Sequence, residues 1–239
     1  MYSFTLRHRP GTHVRGEETR RRILDAALEM FASHGYDAAS TRLLAERAGV
    51  NLPAIQYYFG SKEGLHRAVV AHLLEYSEMF MAPVTSKARA LLEKSDATPE
   101  ALTEALCDIF ERFVSLVSCG EQVEARRLLW ARAEVESAAA PQMLHEEGRR
   151  QVFEPCLALV GRLFGRSVDD PQTLLRTLAL FGQVTIFCHT SVQQVMGTGV
   201  LDEERVAAIC ALVRSQTRAI LRDALADSKK PSKPTVVKK

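Results

Sequence analysis

Nowhere in this 239-residue chain does an apolar run reach 18 residues, and the N-terminus lacks the apolar stretch of a secretory signal. A membrane-spanning helix and an export leader are therefore not expected, and the sequence reads as that of a cytoplasmic protein without membrane partners. Cysteine is scarce and unpatterned: Cys107, Cys119, Cys156, Cys188 and Cys210 are odd in number, widely spaced and without a CxxC pair. They read as small buried hydrophobes in a reducing compartment, not as a disulfide framework. The seven histidines include no HExxH and no paired ligand spacing, so no metal is expected. Cys188 and His189 are adjacent, and neighbouring helical residues point about 100° apart, which keeps a nucleophile and its base from meeting. The chain is read as a non-enzyme without cofactor. Charge of one sign is not in excess either, since the formal net charge is only +2, a poor basis for coating nucleic acid non-specifically. Strand-like alternation and internal repeats are also missing, which leaves an all-α protein.

What is present is concentrated between Thr41 and Leu65. Leu44 and Ala48 lie one turn apart on an apolar face, with Arg42, Glu46 and Arg47 outside, so a short amphipathic helix is expected from Thr41 to Ala48. Gly49 stops it, and Asn51 with Pro53 can cap and open a second helix over about Leu52 to Tyr58. Two helices joined across about three residues make a helix-turn-helix. The second would rise only about 10 Å, enough for a major groove about 12 Å wide. Ile55 and Phe59, at i and i+4, are its inward anchors. Leu52, Pro53, Ala54, Gln56, Tyr57 and Tyr58 are left to face outward or along the rim. Tyrosine hydroxyls can bond phosphate oxygens, Gln56 carries the paired donor and acceptor that fit an adenine edge, and small Pro53 and Ala54 permit close approach to thymine methyls. Lys62 follows Ser61, an N-cap candidate, so its ammonium and the helix N-terminal amides can face one phosphate.

Gly35-Tyr36, Thr41-x-x-Leu44-Ala45, Ala48-Gly49-Val50, Tyr57-Tyr58-Phe59 and Ser61-Lys62-Glu63-x-Leu65 together resemble the TetR family of bacterial transcriptional regulators, over roughly Glu17 to Glu75. The resemblance implies a phosphate contact, and in some members a base contact, at Thr41 and Arg42. It implies base-facing positions at Leu52, Pro53, Ala54 and Gln56, and phosphate contacts at Tyr57, Tyr58 and Lys62. Gln56 stands where the family often has tyrosine, so the docking mode follows from the resemblance and the base preference does not. It further implies a homodimer on a double-stranded operator and a small-molecule effector held by a larger helical domain. From Arg126 to about Gln183, Arg126-Arg127-Leu128-Leu129-Trp130, Pro141, Glu154-Pro155 and Leu180-Phe181-Gly182-Gln183 also look like the C-terminal domain of the CecR-like branch.

The remainder is read as helices. The first, about Glu18 to His34, is stopped by Gly35; the fourth runs from Ser61 to about Met81 and ends before Pro83. Leu102, Leu106, Ile109, Phe113 and Leu116 recur at helical spacing behind Thr98-Pro99, and another helix covers about Glu121 to Ser137. Pro141 to Phe164 should kink or split at Gly148 and Pro155; Asp169 or Asp170 opens a helix to about Met196, and Asp202 one to about Ala226. The last two are expected to pair with those of a second subunit, because a monomer with a few base contacts, each worth about 1 to 3 kcal/mol, would be weak and poorly selective. Effector candidates are Phe110, Trp130, Phe181, Gln183, Phe187 and His189, apolar walls with a few polar groups; ordinary core packing is the competing role for each aromatic. The expected organisation is a flexible basic arm over 1–16, a DNA-binding domain over 17–77, an effector and dimerisation domain over 78–226 and a disordered tail over 227–239. The arm holds three arginines and no acid, and the stretch from Ser228 onward five lysines and no acid, so the body between them is acidic. Function then reads as an effector-released repressor on an inverted repeat, with a DNA-binding protein that organises chromosomes or assemblies away from promoters as the alternative.

Overall fold

The computed structural model describes residues 10–133, 139–189, 192, 195 and 201–228. Arg7 and Arg9 of the basic arm and the lysines of the tail lie outside them. Among the described residues the fold is all helical, and no helix is long and apolar enough to cross a membrane. The helices are α1 (Pro10–Ala38), α2 (Thr41–Arg47), α3 (Leu52–Phe59), α4 (Lys62–Leu92), α5 (Pro99–Ser118), α6 (Val123–Ala133), α7 (Ala139–Gly148), α8 (Glu154–Phe164), α9 (Pro171–Thr185) and α10 (Glu203–Ser228).

The chain divides into two compact units: Met1–Leu74 with Leu128–Leu144, and Glu75–Arg127 with His145–Lys239. In the first, Ile23, Ala27, Met30 and Phe31 of α1 form one wall of a core closed by Leu44 of α2, Ile55 of α3 and Leu65 and Val69 of α4, all buried. The regular part of α1 ends at Gly35, where φ is 78°. Its start differs from expectation. Pro10, whose fixed φ suits a first helical position, opens it well before Glu18, and the Thr19 hydroxyl donates back to the Arg15 carbonyl at 2.9 Å. Residues 10–16, assigned to a flexible arm, are thus its first turns. Arg132 of α6 also belongs to this unit: its Nε donates to the carbonyl of Ala32 at 2.6 Å and its Nη2 to that of Ser33 at 2.9 Å, satisfying end carbonyls of α1.

The second unit is organised around α5, which packs along α10 and against α8 and α9. Leu102, Leu106, Ile109 and Phe110 meet Leu159 and Val160 of α8, Leu180 and Val184 of α9, and Ile209 and Val213 of α10. Thr98 caps α5 by accepting from the Ala101 N–H at 3.2 Å, and Asp170 caps α9 by accepting from Gln172 N–H at 2.7 Å. Two boundaries depart from the sequence reading. Pro83 does not end α4, which continues to Leu92 because Met81 and Ala88 on either side are buried and outweigh one missing N–H. Arg112 helps here: its Nε donates to the Phe80 carbonyl at 2.8 Å and its guanidinium lies 3.9 Å over the Phe80 ring. The other departure is α9, which stops at Thr185 instead of near Met196. Val184, Thr185 and Ile186 are consecutive β-branched residues, the Thr185 hydroxyl donates to Gly182 O at 3.3 Å, and the chain tightens into a 3₁₀ turn at Ile186–Cys188 before His189 extends. Between α7 and α8 the Gly148–Pro155 stretch is a π-turn, Arg149–Phe153.

Candidate nucleic-acid interface

The turn between α2 and α3 is built from local hydrogen bonds. Gly49 takes φ 62°, a left-handed conformation that a Cβ would strain, and Val50 N–H donates to Ala45 O at 2.9 Å to close the end of α2. Asn51 Oδ1 then accepts from Ala54 N–H at 3.1 Å, capping α3 with Pro53 in its first turn. Ser61 Oγ accepts from Gly64 N–H at 3.0 Å and caps α4 in the same way. Ile55 is 3% exposed and anchors α3 in the core, whereas Phe59, expected beside it, is only half-buried.

The opposite side of α3 is open. Tyr57 is 83% exposed and Leu52 49%; Pro53 and Gln56 are exposed, and Ala54 and Tyr58 half-buried. Tyr57 and Tyr58 meet edge to face with centroids 5.1 Å apart, so each ring limits the other's rotation. At the start of α2, Thr41 is half-buried and Arg42 exposed. Lys62 is more constrained than the sequence suggests: its Nζ donates to Asp37 O at 3.1 Å and sits 4.7 Å over the Tyr36 ring. That leaves further N–H donors on the same ammonium. Arg42 and Arg47 have no carboxylate partner among the described residues, while Arg67 pairs with Glu63 at 3.5 Å.

Two residues with structural weight at this interface were not singled out from the sequence. Gly64 packs against the last carbonyl of α3. His66, 4% exposed, lies between the rings of Phe31 (4.7 Å) and Tyr36 (5.0 Å). Its only sequence signal is its place between Leu65 and Val69 on the inner side of α4. Burial, and secondarily the Lys62 ammonium, hold its imidazole below the usual value of 6.5. A histidine kept neutral by the fold favours the unfolded chain once protons are available. Its contribution is therefore complete above about pH 6.5 and declines as pH falls from there toward the folded value. Acidification from pH 7.5 to 5.5 is expected to lower the unfolding temperature of the first unit, and His66→Phe to shrink that drop. Equal drops in both proteins, measured by calorimetry, would refute the assignment.

A capped, solvent-facing α3 held across a glycine turn from α2 is a DNA-reading arrangement, and the comparisons with known proteins decide whose. Residues 23–69 match the bacterial regulatory proteins of the tetR family. Residues 102–224, more than half of the chain, match the C-terminal domain of the HTH-type transcriptional dual regulator CecR. The chain belongs to the TetR family. It is a transcriptional regulator with a DNA-binding helix-turn-helix, and its relatives and fold are those of regulators rather than enzymes. CecR of Shigella flexneri is 26% identical over 215 residues, covering 89% of this chain and 96% of CecR. Solved structures share the fold at lower identity. AmtR of Mycobacterium smegmatis superposes with a TM-score of 0.55 at 20% identity, over 87% of this chain and 92% of AmtR. AibR, crystallised with isovaleryl coenzyme A and operator DNA, gives 0.54 at 13% identity over 82% and 96%.

In the second unit of this TetR-family chain, the residues expected around an effector are partly assembled. Phe181 is the hub of a ring cluster with Phe110 (6.1 Å), Phe113 (5.2 Å) and Phe153 (5.7 Å), and Phe187 packs on the same core. Gln183 Nε2 donates to the Thr217 hydroxyl at 2.9 Å, and its Oε1 is buried without a hydrogen-bond partner among the described residues. Two candidates stand outside this group. Trp130 belongs to the first unit, and His189 is exposed because the early end of α9 carries it off the helix.

Proposed function

We propose that this TetR-family regulator is a repressor that binds an inverted-repeat operator as a homodimer and is released by a small-molecule effector. The observation that carries the reading is α3 itself: Ile55 is buried while Gln56 and Tyr57 stand in solvent on a capped helix. In this reading Leu52, Pro53, Ala54 and Gln56 face bases, and Thr41, Arg42, Tyr57, Tyr58 and Lys62 hold phosphates.

Dimerisation is supported by apolar surface on the last two helices. Leu174 (42%), Leu175 (57%) and Leu178 (50%) are exposed along α9, and Leu212 (53%) and Ile220 (50%) along α10. A shallow hollow of about 330 Å³ on α10, lined by Arg205, Ala208, Ile209 and Leu212, lies on the same helix. Contiguous leucines of this kind are uncommon on a monomer's surface and suit a two-fold contact. Two recognition helices in successive major grooves then double the base contacts. In this reading the effector site lies among Phe110, Phe181, Gln183 and Phe187: Phe110 and Phe181 supply aromatic walls, and Gln183 Oε1 is buried without a hydrogen-bond partner among the described residues. That a fold neighbour was crystallised with an acyl coenzyme A and operator DNA supports an effector-responsive DNA binder. Release requires the effector to favour one state over the other; a coupling of about 1 to 3 kcal/mol weakens operator occupancy several-fold or more.

The test is selection of bound duplexes from a random pool, followed by sequencing. An enriched inverted repeat is expected, and Gln56→Ala should change preference at one position of each half-site. Lys62→Ala should weaken all sequences alike and flatten the salt dependence. Equal loss on specific and random DNA for Gln56→Ala removes it as a base reader. Many dispersed genomic sites without an effect on transcripts favour the chromosome-organising role.

A further inference from the structure

The first turns of α1 run beside the recognition helix. A Cβ on Gly16 would lie 3.7 Å from the Tyr58 hydroxyl. The Arg20 guanidinium sits 5.7 Å from the centre of the Phe59 ring, at the last residue of α3. Arg22 Nη1 lies 3.6 Å from where a Cβ would stand on Gly49, in the turn that precedes α3. One arginine of α1 is thus at each end of a helix about 12 Å long, which matches a major groove about 12 Å wide. Both are exposed, and neither has a carboxylate partner among the described residues, although Glu18 lies one turn before Arg22; Arg21, between them, pairs with Asp25 at 3.9 Å. A ring contact consumes none of the guanidinium's five N–H donors, which suit a phosphate.

We propose that Arg20 and Arg22 are a two-sided phosphate clamp, each donating to a backbone phosphate at one wall of the groove that α3 enters. They set the depth and tilt of the recognition helix without reading bases. The proposal rests on α3 being the DNA-reading helix and adds α1 to the footprint.

The test is the salt dependence of binding by the full chain, measured by fluorescence anisotropy on the selected operator and on a random duplex. Each lost phosphate contact removes about 0.9 from the slope of log affinity against log salt, so Arg20→Gln/Arg22→Gln in a homodimer should lower it by about 3.6. Between 50 and 200 mM salt the wild type should then lose on the order of 10²-fold more affinity than the variant, on both duplexes and with unchanged base preference. Arg20→Lys/Arg22→Lys keeps the charges and should keep most of the slope. An unchanged slope in the glutamine variant, or a lysine variant as impaired as the glutamine one, overturns the clamp. If the glutamine variant changes base preference while the slope holds, the residues read sequence and the clamp is wrong. A wild type that binds no duplex overturns the reading of α3 itself.

Discussion

An alanine at Gly64 is expected to abolish specific operator binding and to destabilise the first unit by about 2 to 4 kcal/mol, the combined size of overpacking and a lost helix cap. A Cβ on Gly64 would overlap the carbonyl oxygen of Phe59 and lie 3.3 Å from its carbonyl carbon and 3.5 Å from Ser61 Oγ. A flexible side chain could swing away from such a contact; a backbone carbonyl cannot. That oxygen also accepts the Ser61 N–H at 2.8 Å, and Gly60 N–H donates to Gln56 O at 2.9 Å, so the end of α3 and the start of α4 are fixed to one another. The added methyl must either push Phe59 outward, tilting α3, or unwind the first turn of α4 and break the bond from Gly64 N–H to Ser61 Oγ. A shift of about 1 Å at α3 removes base contacts worth about 1 to 3 kcal/mol each, so operator affinity should fall 10²-fold or more. Gly60→Ala is the control: its φ of 72° costs about 1 kcal/mol, but nothing lies within 4 Å of its Cβ. Calorimetry and operator titration should therefore rank Gly64→Ala well below Gly60→Ala. Equal variants, or an unaffected Gly64→Ala, would refute the packing argument.

Gly64 also marks where the sequence stops being informative. Three helix starts were legible because their signals are local: Asn51 with Pro53, Thr98 with Pro99 and Asp170 with Pro171 each cap the helix that follows. So was the inward side of α3, since Ile55 alone of its residues is buried. Gly64 carries no such sign, because what excludes its Cβ is a carbonyl placed by the preceding turn. Pro83 misleads for the opposite reason: its local rule is sound, and tertiary burial of Met81 and Ala88 overrides it. Arg126 and Arg132 were illegible for a third. Lying on one helix, they end on the carbonyls of different helices, Leu116 and Cys119 at the close of α5 for Arg126, Ala32 and Ser33 at the close of α1 for Arg132. Such pairing depends on residues up to a hundred positions apart. The aromatic cluster suffers likewise: Phe181 is a hub only because α5 and the π-turn bring Phe113 and Phe153 to it.

Arg214→Met should be the most damaging change in the second unit away from its apolar core. The Arg214 side chain, 23% exposed, donates to Glu111 twice at 2.6 Å, to Glu104 at 2.7 Å and to Asp108 at 2.8 Å, which binds α10 to three carboxylates of α5. Arg218 also serves Glu104 at 2.6 Å and Lys87 serves Asp108 at 2.7 Å, so removal of Arg214 strands Glu111 above all. Breaking a fully buried pair costs about 3 to 5 kcal/mol; with this much solvent access about 2 to 3 is expected. The deficit should depend on pH. In the wild type the hydrogen bond from Arg218, opposed by burial, holds the Glu104 carboxyl below its usual value; burial pushes Asp108 up, but the bonds from Lys87 and Arg214 outweigh it and hold it low. Depressed carboxylates stabilise the fold above their unfolded values, near 4.5 and 3.8, and that stabilisation is lost as pH falls through the folded ones. Without Arg214 both carboxyls accept protons more readily in the folded state, so the gap between variant and wild type should hold from pH 7 down to about 4.5 and narrow as pH is lowered further. Glu111→Met/Arg214→Met removes the stranded charge together with its partner and should unfold at a higher temperature than Arg214→Met alone. If the double variant is the weaker of the two, Arg214 stabilises α10 by packing along α5 and not by charge.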